Sequence, residues 1–331
     1  MLVAALFTPA GLAGLALGLL SSGPAPAVAA EMDTPVHSGL PWRSGASVDA
    51  PFVDFAGWRG RRLDANVIFV ATHDSWADMA RWFDGLRSKA GIRRSPLPVI
   101  SLPMLPKDAA RQFAACAGGA FDDYFRQYGQ RIAAAGAGHA VVRLGWEANK
   151  TRPWSPSTAA DIPDYVTCFQ REAAALRSTA PGIEVEWTMG RISNVPFNVM
   201  DMYPGDEHVD VIGVHYYDNV GPKIATQAAW DQHYMSTYGN GGPRGLGTWL
   251  AAAKSRGKRL AVSEWGVWDQ GSVAKADNAA YVENMYRFFR DNAADIAYEN
   301  YYNRPTVHQL FPSTRFAQAR ARYQELWSAG Q

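Results

Sequence analysis

His139-Ala140-Val141-Val142-Arg143-Leu144-Gly145-Trp146-Glu147 and Arg259-Leu260-Ala261-Val262-Ser263-Glu264-Trp265-Gly266 are the two stretches on which the fold turns. In each, a short aliphatic run gives way abruptly to a carboxylate with tryptophan and glycine beside it. Apolar residues at successive positions suit a strand buried on both faces, as in a parallel sheet, rather than a half-exposed alternating one. The polar residues then fall in the loop at the carboxyl end of the strand.

Working outward, eight such strand candidates recur, at about 53–58, 67–71, 97–104, 140–147, 183–189, 209–217, 260–265 and 296–302. Helix-like stretches rich in Ala, Arg and aromatics lie between most of them, at 75–88, 109–135, 162–178, 248–255 and 278–292. Strands alternating with helices predict βα units around a parallel sheet. Eight units in about 290 residues fit an α/β fold of one domain, the (β/α)8 TIM barrel. The competing arrangement is an open doubly wound sheet, but no Gly-rich phosphate loop follows the first strand candidate.

A net charge of +1 offers no basic field for nucleic acid or an anionic membrane surface. Twelve Trp and 14 Tyr are more than a core of this size needs. About half serve as core fillers with a polar handle; the rest suit a cleft that stacks sugar rings.

Residues 1–30 carry no charged side chain and include an A-x-A site at Ala27-Val28-Ala29, the pattern of a secretory signal peptide, although no basic residue precedes the apolar stretch. A membrane anchor is the rival reading of that segment. The expected organisation is therefore a signal peptide over 1–30, a polar lead-in over 31–50 and the barrel over 51–331, in a protein exported to the extracellular space. No later segment reaches 18 uninterrupted apolar residues. In an exported chain Cys116 and Cys168 can form a disulfide, worth roughly 4 kcal/mol by chain entropy; two buried thiols are the alternative. The cysteine spacing has no metal-ligand pattern, and no metal or cofactor is expected.

In a barrel, Glu147 would end the fourth strand and Glu264 the seventh, at the face where active sites collect. A carboxylate pair roughly 5–5.5 Å apart is what retaining glycoside hydrolysis requires: an acid/base that holds a proton and a nucleophile that stays ionised. Burial against Trp146 and Trp154 would help Glu147 keep its proton. Arg143, four residues earlier and so on the same strand face, would pair with Glu264. Tyr216 would donate a second hydrogen bond to Glu264, with Tyr217 as the other candidate because only one can face inward. Asn149 either contacts substrate or caps its turn; His215 either contacts sugar or is a satisfied barrel histidine. Trp154, Trp265 and Trp268 are candidate sugar platforms, and Trp76, with His73 and Asp74, a candidate distal subsite. Glu299 is the one further carboxylate that could rival the pair.

The segment Arg143-Leu144-Gly145-Trp146-Glu147-Ala148-Asn149, followed by Trp154, resembles the acid/base strand of glycoside hydrolase family 26. Tyr203-Pro204-Gly205-Asp206-Glu207-His208-Val209-Asp210-Val211-Ile212-Gly213 resembles its sixth-strand entry, Ser263-Glu264-Trp265-Gly266 its nucleophile strand, and Trp187 the aromatic of its fifth strand. The resemblance implies a clan A barrel with Glu147 as acid/base, Glu264 as nucleophile, and Arg143 and Tyr216 as supports for Glu264. The chain departs from the family pattern at Leu144 (usually Pro), Trp146 (usually His), Lys150 (usually Gly), His215 (usually Asp) and in the eighth-strand run Tyr298-Glu299-Asn300-Tyr301-Tyr302, where a Trp platform is usual. Tyr301 is taken from that run as a further substrate contact. The resulting expectation is a secreted, monomeric, retaining endo-β-glycosidase acting on a neutral polysaccharide, β-mannan first, mixed-linkage β-glucan or xylan next. A non-catalytic carbohydrate-binding barrel and a transglycosylase are the alternatives.

Overall fold

Eight short, mostly aliphatic runs form one parallel sheet rolled into a barrel in the computed structural model. The structure describes residues 37–48, 54–71, 73–89, 92, 95–219, 226–269, 277–305 and 307–328. The expected signal peptide lies outside these residues. The strands are β1 (Ser44–Ser47), β2 (Ala65–Phe69), β3 (Leu97–Leu102), β4 (Val141–Leu144), β5 (Glu184–Gly190), β6 (Val211–Tyr217), β7 (Arg259–Gly266) and β8 (Ile296–Tyr302). Each pairs in parallel with its sequence neighbour from β2 to β8, and β1 pairs with β8. Around them lie α1 (Phe55–Arg59), α2 (Trp76–Asp84), α3 (Phe113–Ala117), α4 (Asp122–Ala134), α5 (Ile162–Thr179), α6 (Gln227–Tyr234), α7 (Leu246–Lys254), α8 (Ala279–Asp291) and α9 (Ala317–Trp327). Among the described residues no helix is long and apolar enough to cross a membrane.

The first strand lies where the sequence reading placed a lead-in. The stretch expected to be a strand at 53–58 instead enters α1, because the Asp54 side chain accepts from Gly57 N–H and caps a helix there. The strand β1 is Ser-Gly-Ala-Ser, with no β-branched or aromatic residue to announce it. Small residues are needed because this strand closes the barrel. Asp64 N–H donates to Ser44 O at 2.8 Å across the β1–β2 seam, and a Cβ at Gly45 would collide with Ala65 O. The barrel domain therefore begins upstream of residue 51.

One irregularity decides which side chains of β7 reach the interior. Gly213 faces Ala261 and His215 faces Glu264, so two residues of β6 oppose three of β7, a β-bulge. Simple alternation from Ala261 would send Glu264 to the outer face and Trp265 inward. The extra residue reverses this: Ser263 and Glu264 both face the interior, and Trp265 turns out to the helices.

Beneath the mouth the barrel is filled by a polar layer. The Glu186 carboxylate accepts from Thr188, Ser263 and Tyr298 hydroxyls, all fully buried, and lies 3.7 Å from Arg143 Nε. Below that layer Val67, Leu97, Val99, Val141, Val211, Ala261 and Ala297 pack as an apolar plug.

Cys116 on α3 and Cys168 on α5 form a disulfide with Cα atoms 5.0 Å apart, closing a separation of 52 residues. A loop of that length constrains the unfolded chain by about 4 kcal/mol. Denaturant melts with and without reductant are expected to differ by roughly that amount. Equal midpoints would mean that native-state strain cancels the entropic gain.

Candidate active site

Glu147 and Glu264 meet at the carboxyl-end mouth of the barrel, around one imidazole. His215 Nδ1 lies 2.9 Å from Glu147 Oε1, and His215 Nε2 lies 3.1 Å from Glu264 Oε1. Spanned by a single ring, these two oxygens are no more than about 8 Å apart, a bound that admits the retaining separation of about 5–5.5 Å and also the lower part of the inverting one, about 6.5–9.5 Å. Both carboxylates are almost wholly buried, at 5% and 6% exposure, so their neighbours rather than water set their charge.

Glu264 is positioned by the bulge and held from two sides. Arg143 Nη2 donates to Glu264 Oε1 at 2.8 Å, and Tyr217 Oη donates to Glu264 Oε2 at 2.7 Å. Burial pushes this carboxyl up, but His215 and Arg143 outweigh it and hold it below the ordinary carboxylate range, even against Glu147. Arg143 is itself fully buried, donates to Ser101 Oγ at 3.0 Å and also contacts the His215 ring.

Glu147 sits differently. The strand β4 ends at Leu144, and the chain turns so that Glu147 adopts φ 55°, a left-handed conformation rare for a residue with a Cβ. Such a residue costs about 1–3 kcal/mol and persists only where its surroundings enforce it. Here Glu147 N–H donates to Thr188 O at 2.8 Å, while Trp154 Nε1 donates to Trp146 O at 2.9 Å. The turn directs the carboxylate toward Lys150, whose Nζ is 2.5 Å from Oε1, and toward Arg152, which pairs with Oε2. Burial raises the Glu147 carboxyl, but His215, Lys150 and Arg152 together hold it well below the usual range. The expectation that Trp146 and Trp154 would keep this group protonated is therefore not met: two cations and an imidazole outweigh them.

Several other expectations are corrected by strand parity. His215 and Tyr217 face the interior of β6 and Tyr216 faces the helices, where its ring lies under Arg191 and its carbonyl accepts from Tyr281 at 2.5 Å. Tyr217, not Tyr216, is the donor to Glu264. Trp265 is fully buried behind β7 against Tyr301, Phe289 and Trp327, and Tyr301 is buried behind β8 with its hydroxyl on His308 O at 2.8 Å. Neither can serve as a sugar platform in this arrangement. Trp154 is also fully buried, wedged under the turn against Trp146. Trp76 stacks on Tyr124 at 4.4 Å and meets Phe121 at a tilt, in the layer between α2 and α4. Asn149 spends both ends of its amide on backbone, donating to Gly190 O at 2.7 Å and accepting from Gly190 N–H at 2.9 Å. Glu299 faces outward, where it accepts from Ser44 Oγ, from Trp265 Nε1 at 2.6 Å and from Trp327 Nε1 at 3.1 Å, so it is not a third carboxylate of the mouth.

Trp268 is the one of the expected platforms that reaches the mouth partly exposed, edge-on to Tyr217 at 5.3 Å and to His308 at 4.7 Å. Tyr302 and His308 complete this wall, with His308 stacked on Tyr217 at 4.6 Å. Burial lowers the His308 imidazole to about 4, so it serves there as a neutral aromatic plate. Tyr217→Phe is expected to reduce activity about 10–100-fold, the size of effect given by losing a hydrogen bond to a charged group, whereas Tyr216→Phe leaves it within about twofold. Steady-state rates of the two variants check the assignment, and equal losses would contradict it.

Neither a protein-family model nor a curated protein matches the sequence. Solved structures share its fold. A Cellulomonas fimi endo-beta-1,4-mannanase double mutant aligns over 91% of this chain and 74% of its own, with 16% identity and a TM-score of 0.59. The catalytic domain of the Bacillus sp. JAMB-750 GH26 endo-beta-1,4-mannanase aligns over 88% of both chains at 16% identity and TM-score 0.55. The GH26 beta-mannanase of Bacteroides ovatus aligns over 85% of both at 15% identity and TM-score 0.52. At these identities the likeness establishes the (β/α)8 barrel.

Proposed function

We propose that the protein is a glycoside hydrolase of the β-mannanase type that cleaves by double displacement, as a divergent relative of glycoside hydrolase family 26. The observation that carries this reading is the asymmetry of the carboxylate pair around His215. Glu264 is fixed by Arg143 and Tyr217 and kept ionised by His215 and Arg143, as a nucleophile requires; Glu147 reaches the same imidazole from the strained turn after β4. Glu264 attacks the anomeric carbon while Glu147 protonates the departing oxygen; Glu147 then draws a proton from water, which releases the sugar with its configuration retained. The fold shared with mannanases supports β-mannan as the first backbone to test, with mixed-linkage β-glucan and xylan following. Export, read from residues 1–30, agrees with the Cys116–Cys168 disulfide.

Incubation with this polysaccharide panel, with the anomeric form of the first product followed by NMR, tests the reading. A β product that mutarotates afterwards is expected; an initial α product would replace double displacement with direct attack by water. A second reading is favoured by the ion pairs on Glu147, which oppose its holding a proton: a barrel that binds glycans without cleaving them. Binding with no release of reducing ends would select it.

A further inference from the structure

The turn after β4 holds two cations where they obstruct the chemistry proposed above. An acid that must deliver a proton is clamped by Lys150 and Arg152, and among the described residues Glu147 is the only carboxylate either of them pairs with. The clamp is built into the fold. Lys150 lies across Gly190 at the end of β5, where a Cβ would stand 2.5 Å from Lys150 Cε, so glycine at that position leaves the channel for the lysine. Arg152 has its Nε buried with no partner. Yet both side chains remain open to solvent at 28% and 37% exposure, against 6% for the carboxylate they hold. A ligand can therefore reach the cations while Glu147 stays enclosed.

We propose that Lys150 and Arg152 form a subsite for an anionic group, a carboxylate or a sulfate ester, on a sugar flanking the bond to be cleaved, and that its arrival draws both cations off Glu147. The substrate class is then a β-linked glycan carrying acidic sugars or acidic substituents, rather than the wholly neutral polysaccharide expected from the sequence. The inference rests on the hydrolase reading for what Glu147 does, but not for what the cations bind. Once they pair with the substrate, Glu147 loses Lys150 and Arg152 from the groups that hold its carboxyl low, keeps His215, and gains a negative charge nearby. The loss of the two cations and the arriving anion both favour its taking up a proton from solvent, the form that can protonate a leaving oxygen. Substrate recognition and arming of the acid become one event, and a neutral chain binds without arming it.

The test compares a uronate-bearing β-glycan oligosaccharide with its carboxyl-reduced counterpart, and a sulfated one with its desulfated counterpart, by calorimetric binding and by steady-state hydrolysis. For at least one pair, wild-type protein is expected to bind the anionic member about ten- to a hundredfold more tightly, as a charge-assisted contact confers, with the preference shrinking as salt rises. Whichever pair shows it identifies the group. In Lys150→Gln/Arg152→Gln the ratio is expected to fall to about one. Where cleavage is observed, the alkaline limb of kcat should lie at higher pH than that of kcat/KM for the anionic member only, because kcat reports the bound enzyme and kcat/KM the free one. Equal wild-type affinity within both pairs overturns the proposal, whether or not the variant folds. A binding preference without cleavage keeps the subsite and removes the hydrolase reading, while cleavage that ignores charge does the reverse.

Discussion

Glu264→Gln is expected to lower turnover by about ten-thousandfold or more, since loss of a covalent nucleophile is not made good by the rest of a site. The substitution is nearly isosteric. Tyr217 can still donate to the amide oxygen, and Arg143 keeps Glu186 at 3.7 Å, so the barrel should remain folded and still bind oligosaccharide. Circular dichroism and calorimetric binding beside the rate measurement separate the two effects. Retention of more than about a hundredth of wild-type turnover would be incompatible with Glu264 as nucleophile, because loss of a single charge-assisted hydrogen bond already amounts to a factor of that size.

Arg143→Met is expected to damage both stability and chemistry. The guanidinium is fully buried between Glu264 and Glu186, and removing one partner of a buried ion pair costs about 3–5 kcal/mol because the other charge is stranded. The pH dependence follows from the sign of the shift on Glu264. Its carboxyl is raised by burial but held low overall by His215 and Arg143, so its ionised form contributes stability at neutral pH that is lost as the solution is acidified through the depressed value. Without Arg143 the carboxyl rises, and a nucleophile that must be ionised needs a higher pH. The acid limb of kcat/KM is therefore expected to move upward, together with a lower denaturation midpoint at neutral pH. An unmoved acid limb would separate Arg143 from Glu264 and leave it a purely structural cation.

The parts of this site that were legible in the sequence are those set by local pattern. Aliphatic runs before Glu147 and Glu264 mark β4 and β7 and put Arg143 on β4, where it does pair with Glu264, although Glu147 lies three residues beyond that strand, in a turn to which strand alternation does not extend. What alternation could not give was phase. The bulge in β7 turns Trp265 outward and Glu264 inward, and a second register shift near the start of β8 precedes the outward turn of Tyr301. On β6 the choice between Tyr216 and Tyr217 depended on where the interior face began. The closing strand β1 was missed because serine, glycine and alanine carry no β signal, although the tight seam with β2 demands them. The reach of Lys150 and Arg152 back to Glu147 depends on a left-handed turn, which residue types alone do not disclose.

The outward carboxylate of Glu299 has a mechanical consequence. It fastens the first strand through Ser44, the seventh through Trp265 and the terminal helix α9 through Trp327, while Arg61 donates to Trp327 O at 2.9 Å and Ser38 O at 2.6 Å. The beginning and the end of the barrel are thus hooked on one latch, and neither can fray without loosening the other. Amide protons of β1 and of α9 should exchange at matching rates, as a single opening unit rather than two independent tails.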